Sequence, residues 1–280
     1  MTLGVGITAG IIVGQNVFKQ TVDYSQFDTN EIEVDYSQKY EDFKQTDSSH
    51  YFSDFTPVEL ANITLLKLDD TDNWFARKHA NVLAAGVEQT INAINIRKGD
   101  IYFEENISQS SLVKAAHRFY QENDYIDYYK GKYVSPTKAN YPDSGKREYT
   151  LKEFEDEWGD TKDCICIYII SESTVLDSKI KDNGDGTHTV AMELDPTLSV
   201  IRYVKQMKMT GGLSQEPIFH TVHLELTVDD NVTLQEINIE ECYDVHMVID
   251  AKNSVGKVKQ IFKYEEKEIP EVNEEYNYDN

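Results

Sequence analysis

The chain is poor in cysteine and proline, short of positive charge, and without a long apolar run. Three cysteines in 280 residues, Cys164, Cys166 and Cys242, cannot build a disulfide framework. Cys164 and Cys166 stand two apart in an apolar stretch read as a strand, so both side chains point the same way and are badly placed to bond to one another. A bridge from either to Cys242 stays open, although small buried side chains are the plainer reading. Lysine and arginine number 27 against 50 acids, giving a formal net charge of −23. A phosphate backbone would be repelled, which excludes nucleic acid as a partner. No apolar stretch reaches the roughly 20 residues of a membrane-spanning helix. A Walker loop, a dinucleotide fingerprint and a zinc-protease HExxH are also missing. Gly212-Leu-Ser214-Gln-Glu216 lacks the second glycine of a nucleophile elbow and follows a helical pattern where an elbow needs a strand. Among 50 acids a pair of carboxylates carries almost no information. No catalytic, cofactor-binding or metal-binding residue is expected, no cofactor is implied, and the chain is read as non-enzymatic.

Two features that resemble metal sites read better as structure. Asp182-Asn-Gly-Asp-Gly186 looks like a calcium loop, but Lys181 stands where an acid should open it and Met192 where the bidentate glutamate should close it. Asn-Gly and Asp-Gly between alternating segments are hairpin chemistry. In His220-Thr-Val-His223 the histidines are three apart on a strand and so face opposite ways. His220 goes with Ile218, Val222 and Leu224, as a satisfied core residue or a polar group lining a cavity. His223 goes with Thr221 and Glu225, and His246 with Cys242 and Asp244.

What is present is a pattern of strands with a few helices. The clearest stretch is 186–264. His188, Val190, Met192 and Leu194 alternate with polar residues, the mark of a strand with one buried face. Asp195-Pro196 stops it and prepares a helix. Val200, Tyr203, Val204 and Met207 follow at helical spacing until Gly211-Gly212. Residues 218–228 alternate, Asp229-Asp230-Asn231 turns the chain, 237–247 return, and 255–264 form a last strand. Residues 174–181 pair through the Asn-Gly-Asp-Gly turn with the strand after it. Earlier, 87–96 and 101–107 make a hairpin about Lys98-Gly99. Thr56-Pro57-Val58-Glu59 and Thr150-Leu-Lys-Glu153 are capping boxes, each opening a short helix. Ser110 or Ser111 is read as starting a helix through Leu112, Ala115, Ala116 and Phe119. Residues 164–170 read as a buried strand. Residues 130–147 read as a loop with five basic residues and one acid, able to meet anionic surfaces.

The expected class is α+β: a large curved antiparallel sheet, a half-barrel, wrapped around a few short helices. Four segments are expected. Residues 1–18 hold the apolar stretch 3–13 (LGVGITAGIIV), read as a partial signal peptide or membrane anchor. Residues 19–55 are an acidic flexible linker that carries Val22-Asp-Tyr-Ser-Gln26 again as Val34-Asp-Tyr-Ser-Gln38. Residues 56–264 are the folded domain, and 265–280 an acidic disordered tail.

Tyr203-Val-Lys-Gln-Met207 leading into Gly211-Gly-Leu213, then Pro217-Ile-Phe219 and an alternating hairpin, resembles exported proteins of low-GC Gram-positive bacteria. The hairpin through Lys98-Gly99-Asp100-Ile-Tyr102, followed by Asn106-Ile-Ser108 and a helix with Val113 and Tyr120, fits the same pattern. The arrangement is similar to LolA-like and mycobacterial lipoprotein half-barrels over roughly 56–264. That resemblance implies a curved sheet around helices with an apolar groove for acyl chains, and no catalytic residues. No cysteine follows the apolar segment, so acyl anchoring through a lipobox is not implied. The function expected is an extracytoplasmic protein, anchored or secreted, that binds a lipid-like or hydrophobic ligand between sheet and helices, with the N-terminus at a membrane. The alternative is a cell-surface interaction module with a filled core and a protein partner. A continuous cavity beneath the helices favours the first, and a solid core the second.

Overall fold

The protein is described from a computed structural model over residues 22–112, 114–160, 165–211, 213, 215–246 and 250–272. Its frame is one open antiparallel sheet of 12 strands. In chain order these are β1 (Asn73–Ala84), β2 (Val87–Lys98), β3 (Ile101–Ser110), β4 (Lys114–Glu122), β5 (Tyr125–Ser135), β6 (Lys138–Asn140), β7 (Lys146–Thr150), β8 (Val175–Asp182), β9 (Thr187–Leu194), β10 (Ile218–Asp229), β11 (Leu234–His246) and β12 (Asp250–Lys263). The spatial order is β6-β5-β4-β3-β2-β1-β12-β11-β10-β9-β8, with β7 also on β5. Two runs of hairpins therefore meet where β1 pairs with β12. The turns supply the left-handed backbone that tight hairpins need. Ala85 and Gly86 (φ 49° and 78°) join β1 to β2, and Gly184 and Gly186 (φ 79° and 81°) join β8 to β9. The half-barrel outline and the calcium-loop-like stretch as a turn are both seen.

Among the described residues six α-helices accompany the sheet: α1 (Thr29–Ile32), α2 (Ser37–Gln45), α3 (Tyr51–Asp54), α4 (Pro57–Asp69), α5 (Leu151–Trp158) and α6 (Ile201–Gly211). Both capping boxes form, Thr56 with Glu59 on α4 and Thr150 with Glu153 on α5. Asp195 does not cap α6 directly. Its carboxylate accepts from the N–H groups of Thr197 and Leu198, each at 2.8 Å, and the helix begins six residues later. Val58, Leu60, Ile63 and Leu68 of α4 and Tyr203, Val204 and Met207 of α6 join the main core with the inward side chains of β9 to β12 and β1. A second cluster, mainly of aromatic residues, forms under α5, where Phe154 and Trp158 stack on each other 5.1 Å apart and meet Phe119 edge-on.

Four expectations are corrected. The segment read as a helix through Leu112 and Phe119 is strand β4. Both of its faces are covered: Phe119 points to the α5 cluster, while Arg118 lies on the opposite face. A strand buried on two sides shows no polar phase, and its apolar residues fell by coincidence at helical spacing. The basic stretch 130–147 is mostly β5, β6 and β7 rather than a loop. β6 and β7 lie outside β5 at the sheet edge, where lysines are the usual guard against further pairing. The expected strand at 164–170 is not in the sheet. Residues 165–170 form a buried segment tied to α4 by Asn62 Nδ2 donating to Ile170 C=O at 3.1 Å and to the chain before α6 by Ile169 N–H donating to Ser199 C=O at 2.9 Å, and Cys164 lies outside the described residues. His220 is exposed, because a bulge between Phe219 and Thr221 turns Phe219 inward and the imidazole out to Asp244.

The flanks also differ from expectation. Residues 22–55 are not a free linker. In each copy of the duplicated motif the aspartate accepts from the N–H of the serine two residues on (Asp23 from Ser25, 3.1 Å; Asp35 from Ser37, 2.8 Å), and the tyrosine between is buried. Tyr24 also donates to Pro217 C=O at 3.0 Å. Phe43 is buried between Tyr51 and Phe55. At the other end 265–272 lie on the outer face of the sheet. Ile269 covers Phe75, Ile94, Ile96 and Phe103, and Arg118 donates to the carbonyls of Pro270 and Glu271. Residues 273–280 and the apolar stretch 3–13 lie outside the described residues. Among the described residues no helix is long and apolar enough to cross a membrane.

If 22–55 belong to the folded unit, Phe43→Ala lowers unfolding free energy by about 3 kcal/mol in urea titration, as for a buried phenylalanine. A spacer position changes it by less than about 0.5 kcal/mol.

Candidate functional site

The site is built from the phase of the central ladder. On β11 the odd-numbered residues 237–245 face the helices; on β12 and β1 the even-numbered residues do. Most are apolar, but four rows carry polar groups into the interior. Glu241 lies opposite Gly256, and Gly256 opposite Val82. Gln260 lies opposite Lys78, Asn95 opposite Glu104, and Tyr102 opposite Gln121. All of these polar side chains are buried.

Glu241 is the centre of this group. Tyr168, from the buried segment 165–170, donates to its Oε2 at 2.7 Å, and Tyr203 of α6 donates to its Oε1 at 3.1 Å. Burial pushes the carboxyl up to about 7, while the two tyrosine hydroxyls and the Lys78 ammonium pull the other way. The hydroxyls of Tyr168 and Tyr203 are themselves raised far above the ordinary phenol value, first by burial and then by the carboxylate. They act as donors. Gly256 is required beneath the carboxylate: a Cβ there would sit 2.7 Å from Oε1 and 2.9 Å from Cγ. A second short chain runs from Gln260 Nε2 to Asn95 Oδ1 (3.5 Å) and from Asn95 Nδ2 to Tyr102 Oη (2.5 Å).

Leu60, Ala61, Ile63, Val82, Ile91, Val222 and Leu224 of the main core are all fully buried. A cleft of about 440 Å³ opens between residues 30–35, α4, residues 166–170 and α6. Val34, Leu65, Cys166, Ile169 and Ile170 form its apolar wall, and Asn30, Asn62, Glu33, Asp35 and Arg202 its polar rim. Arg202 holds Glu33 on one side and Asp160 at 2.5 Å on the other. Burial raises the Glu33 carboxyl, opposed by Arg202. Tyr168 lines the cleft and donates inward to Glu241, so one side chain joins cleft and buried cluster. Cys166 and Cys242 are not bridged to each other.

A larger cavity of about 490 Å³ lies on the outer face of the sheet, among His79, Asn81, His223, Glu225, Glu240 and Lys257. Its charged groups pair with each other: Lys257 with Glu240 at 2.5 Å, and His223 with Glu193 at 2.8 Å and Glu225 at 3.2 Å. Burial opposes protonation of His223, but Glu225 and Glu193 outweigh it and hold the ring above its ordinary value. This is a solvated face with satisfied surface pairs. His223 and His246 face outward as the alternation predicts, His246 bonding Asp250. Among the described residues no three histidine, cysteine or acidic side chains converge as for a metal.

No protein-family model matches the chain, and neither does any curated protein. Solved structures similar to it include a DUF1329 family protein from Desulfovibrio piger (TM-score 0.29, 11% identity, covering 74% of this chain and 91% of that one). Others are an outer membrane lipoprotein-sorting protein domain from Vibrio parahaemolyticus (TM-score 0.26, 8% identity, 74% and 91%) and a porin-like protein from Bacteroides uniformis (TM-score 0.22, 9% identity, 70% and 96%). These scores lie far below those of shared folds, so function is argued from the site.

The sequence pointed to no residue of either cleft or cluster. A signal for the cluster existed: Glu241 breaks the apolar phase of residues 237–245, and a lone acid on the buried phase of a strand is a buried charge that must find donors.

Two outcomes follow. Between its ordinary value of 4.5 and about 7, native Glu241 keeps a proton that the unfolded chain releases, so this group's contribution to stability is complete below 4.5 and is lost as pH rises towards 7. Glu241→Gln cannot titrate; relative to wild type it gains about 3 kcal/mol between pH 4 and 8 in urea titrations. Gly256→Ala forces the carboxylate off its tyrosines and costs about 2 kcal/mol. That cost shrinks in the Gly256→Ala, Glu241→Ala double variant if the clash is its cause.

Proposed function

We propose that this is a non-enzymatic, extracytoplasmic binding protein that holds one hydrophobic or lipid-like molecule, with the apolar stretch 3–13 directing export or anchoring. The observation that carries this reading is the cleft beside Arg202. Its volume of about 440 Å³ falls within the roughly 300–1,000 Å³ of small-molecule sites, and it combines an apolar wall with a few polar groups at the rim. The ligand lies in the cleft between residues 30–35, α4, residues 166–170 and α6. The volume suits a single alkyl chain or a compact apolar body.

The large cluster of buried side chains between sheet and helices favours a second reading, a cell-surface interaction module that uses its acidic surface and has no small-molecule ligand. Native mass spectrometry with organic extraction, on the full chain purified from bacterial cells without detergent, separates the two. A near-stoichiometric adduct, and a rise in melting temperature when the extracted compound is added back, is the expected result. A clean apo mass together with no thermal gain from single-chain lipids removes the binding reading and leaves the interaction module.

A further inference from the structure

We infer that the turn between β8 and β9 is a self-modifying site: the main-chain nitrogen of Gly184 attacks the side chain of Asn183, with Asp182 as the base, and residue 183 becomes aspartate or isoaspartate. This does not depend on the binding reading above.

Asn183-Gly184 is the one Asn-Gly step in the chain, and both residues are exposed. Attack by the next residue's nitrogen on an asparagine side chain closes a small ring between groups already joined by the chain, so it pays no cost of encounter. Gly184 leaves that nitrogen unshielded. Its φ is 79°, and a Cβ there would meet nothing within 4 Å.

Three neighbours are placed for the reaction. Gly184 N–H donates to Asp182 Oδ1 at 2.7 Å, so a carboxylate already holds the proton that the nucleophile must lose. Thr189 Oγ1 donates to Asn183 Oδ1 at 3.4 Å, the atom on which negative charge grows as the nitrogen adds. The leaving nitrogen, Asn183 Nδ2, donates to Oγ1 of Thr187 and of Thr189, each at 3.0 Å. Asn183 N–H donates to Thr187 C=O at 3.0 Å and holds the main chain of the turn in place.

In the step, the Gly184 nitrogen passes its proton to Asp182 and bonds to Asn183 Cγ. The Cγ–Nδ2 bond breaks, the proton returns from Asp182 to that nitrogen, and ammonia leaves. Water then opens the cyclic imide at either carbonyl. One opening gives aspartate. The other runs the main chain through Cβ and gives isoaspartate, which lengthens the turn by one methylene. β8 ends the sheet and among the described strands pairs with β9 alone. A longer turn therefore loosens the pairing nearest to it, Asp182 with His188 and Lys181 with Thr189.

The test is peptide mass spectrometry of the full chain held at pH 7 and 37 °C, native and in urea, with fragmentation that separates aspartate from isoaspartate. Residue 183 is expected to gain one mass unit before any other asparagine, at least fivefold faster in the native chain than in urea. Asp182→Ser keeps an acceptor for the Gly184 N–H but has no carboxylate, and brings the native rate down to the urea rate. Thr189→Val slows it severalfold. A wild-type native rate at or below the urea rate shows that the fold protects the step and overturns the proposal. An unchanged native rate in Asp182→Ser removes the base and overturns it as well.

Discussion

Everything on the concave side depends on the pairing of β11, β12 and β1. Two runs of hairpins, each local in sequence, meet only there, and the phase of that junction decides which side chains are enclosed. With Glu241 opposite Gly256 and Gly256 opposite Val82, a carboxylate is buried and Lys257 and Glu240 pair in solvent. A slip of one residue would exchange the two sets and bury the surface ions. The apolar residues of the strands oppose that slip, and Gly256 opposes any other arrangement, because no other residue leaves room for the carboxylate.

The buried carboxylate is costly, and its arrangement shows what offsets the cost. Tyr168 and Tyr203 come from two different elements, the segment 165–170 and α6, and both converge on Glu241. An apolar trio of similar volume would stabilise the fold as well or better, as replacement of buried polar groups by well-packed apolar ones generally does. What the polar version adds is position, since two tyrosines donating to one carboxylate have a single geometry. The segment 165–170 is in no ladder and α6 rests on the sheet only through side chains. Glu241 therefore fixes the layer that forms the cleft.

The strands with one wet face were legible in the sequence. Residues 187–194 and 218–228, and the return at 237, alternate because one side meets water, and the turns between them carry the required glycines and aspartates. The capping boxes were legible because they are local hydrogen-bond geometry. What failed was of two kinds. β4 and β1 have unusual enclosure: β4 is covered on both faces, and β1 buries Lys78 where a strand pattern should show an apolar residue. The N-terminal segment failed because composition was weighed over position. Its acids are exposed, but Tyr24, Tyr36, Tyr40 and Phe43 are buried, and four aromatic anchors suffice to hold a segment whose mean hydropathy argues for disorder. The duplicated motif was visible; what it does, an aspartate turn setting a tyrosine into the core, needs the structure.

The two flanks lie against opposite sides of the sheet system, and this bears on how a ligand would enter. The described C-terminal residues 265–272 cover an apolar patch on the outer face. The N-terminal segment forms one wall of the cleft. Opening the sheet would break continuous ladders and a dense core, a global cost. Moving 30–35 would break the Glu33–Arg202 pair and lift Tyr36, against partly solvated surroundings in which an ion pair contributes about 1 kcal/mol or less. Local openings of that kind belong to the low end of a protein's stability range. Access to the cleft is therefore set by the hold of the N-terminal segment, and the half-barrel beneath it serves as the fixed side of the site.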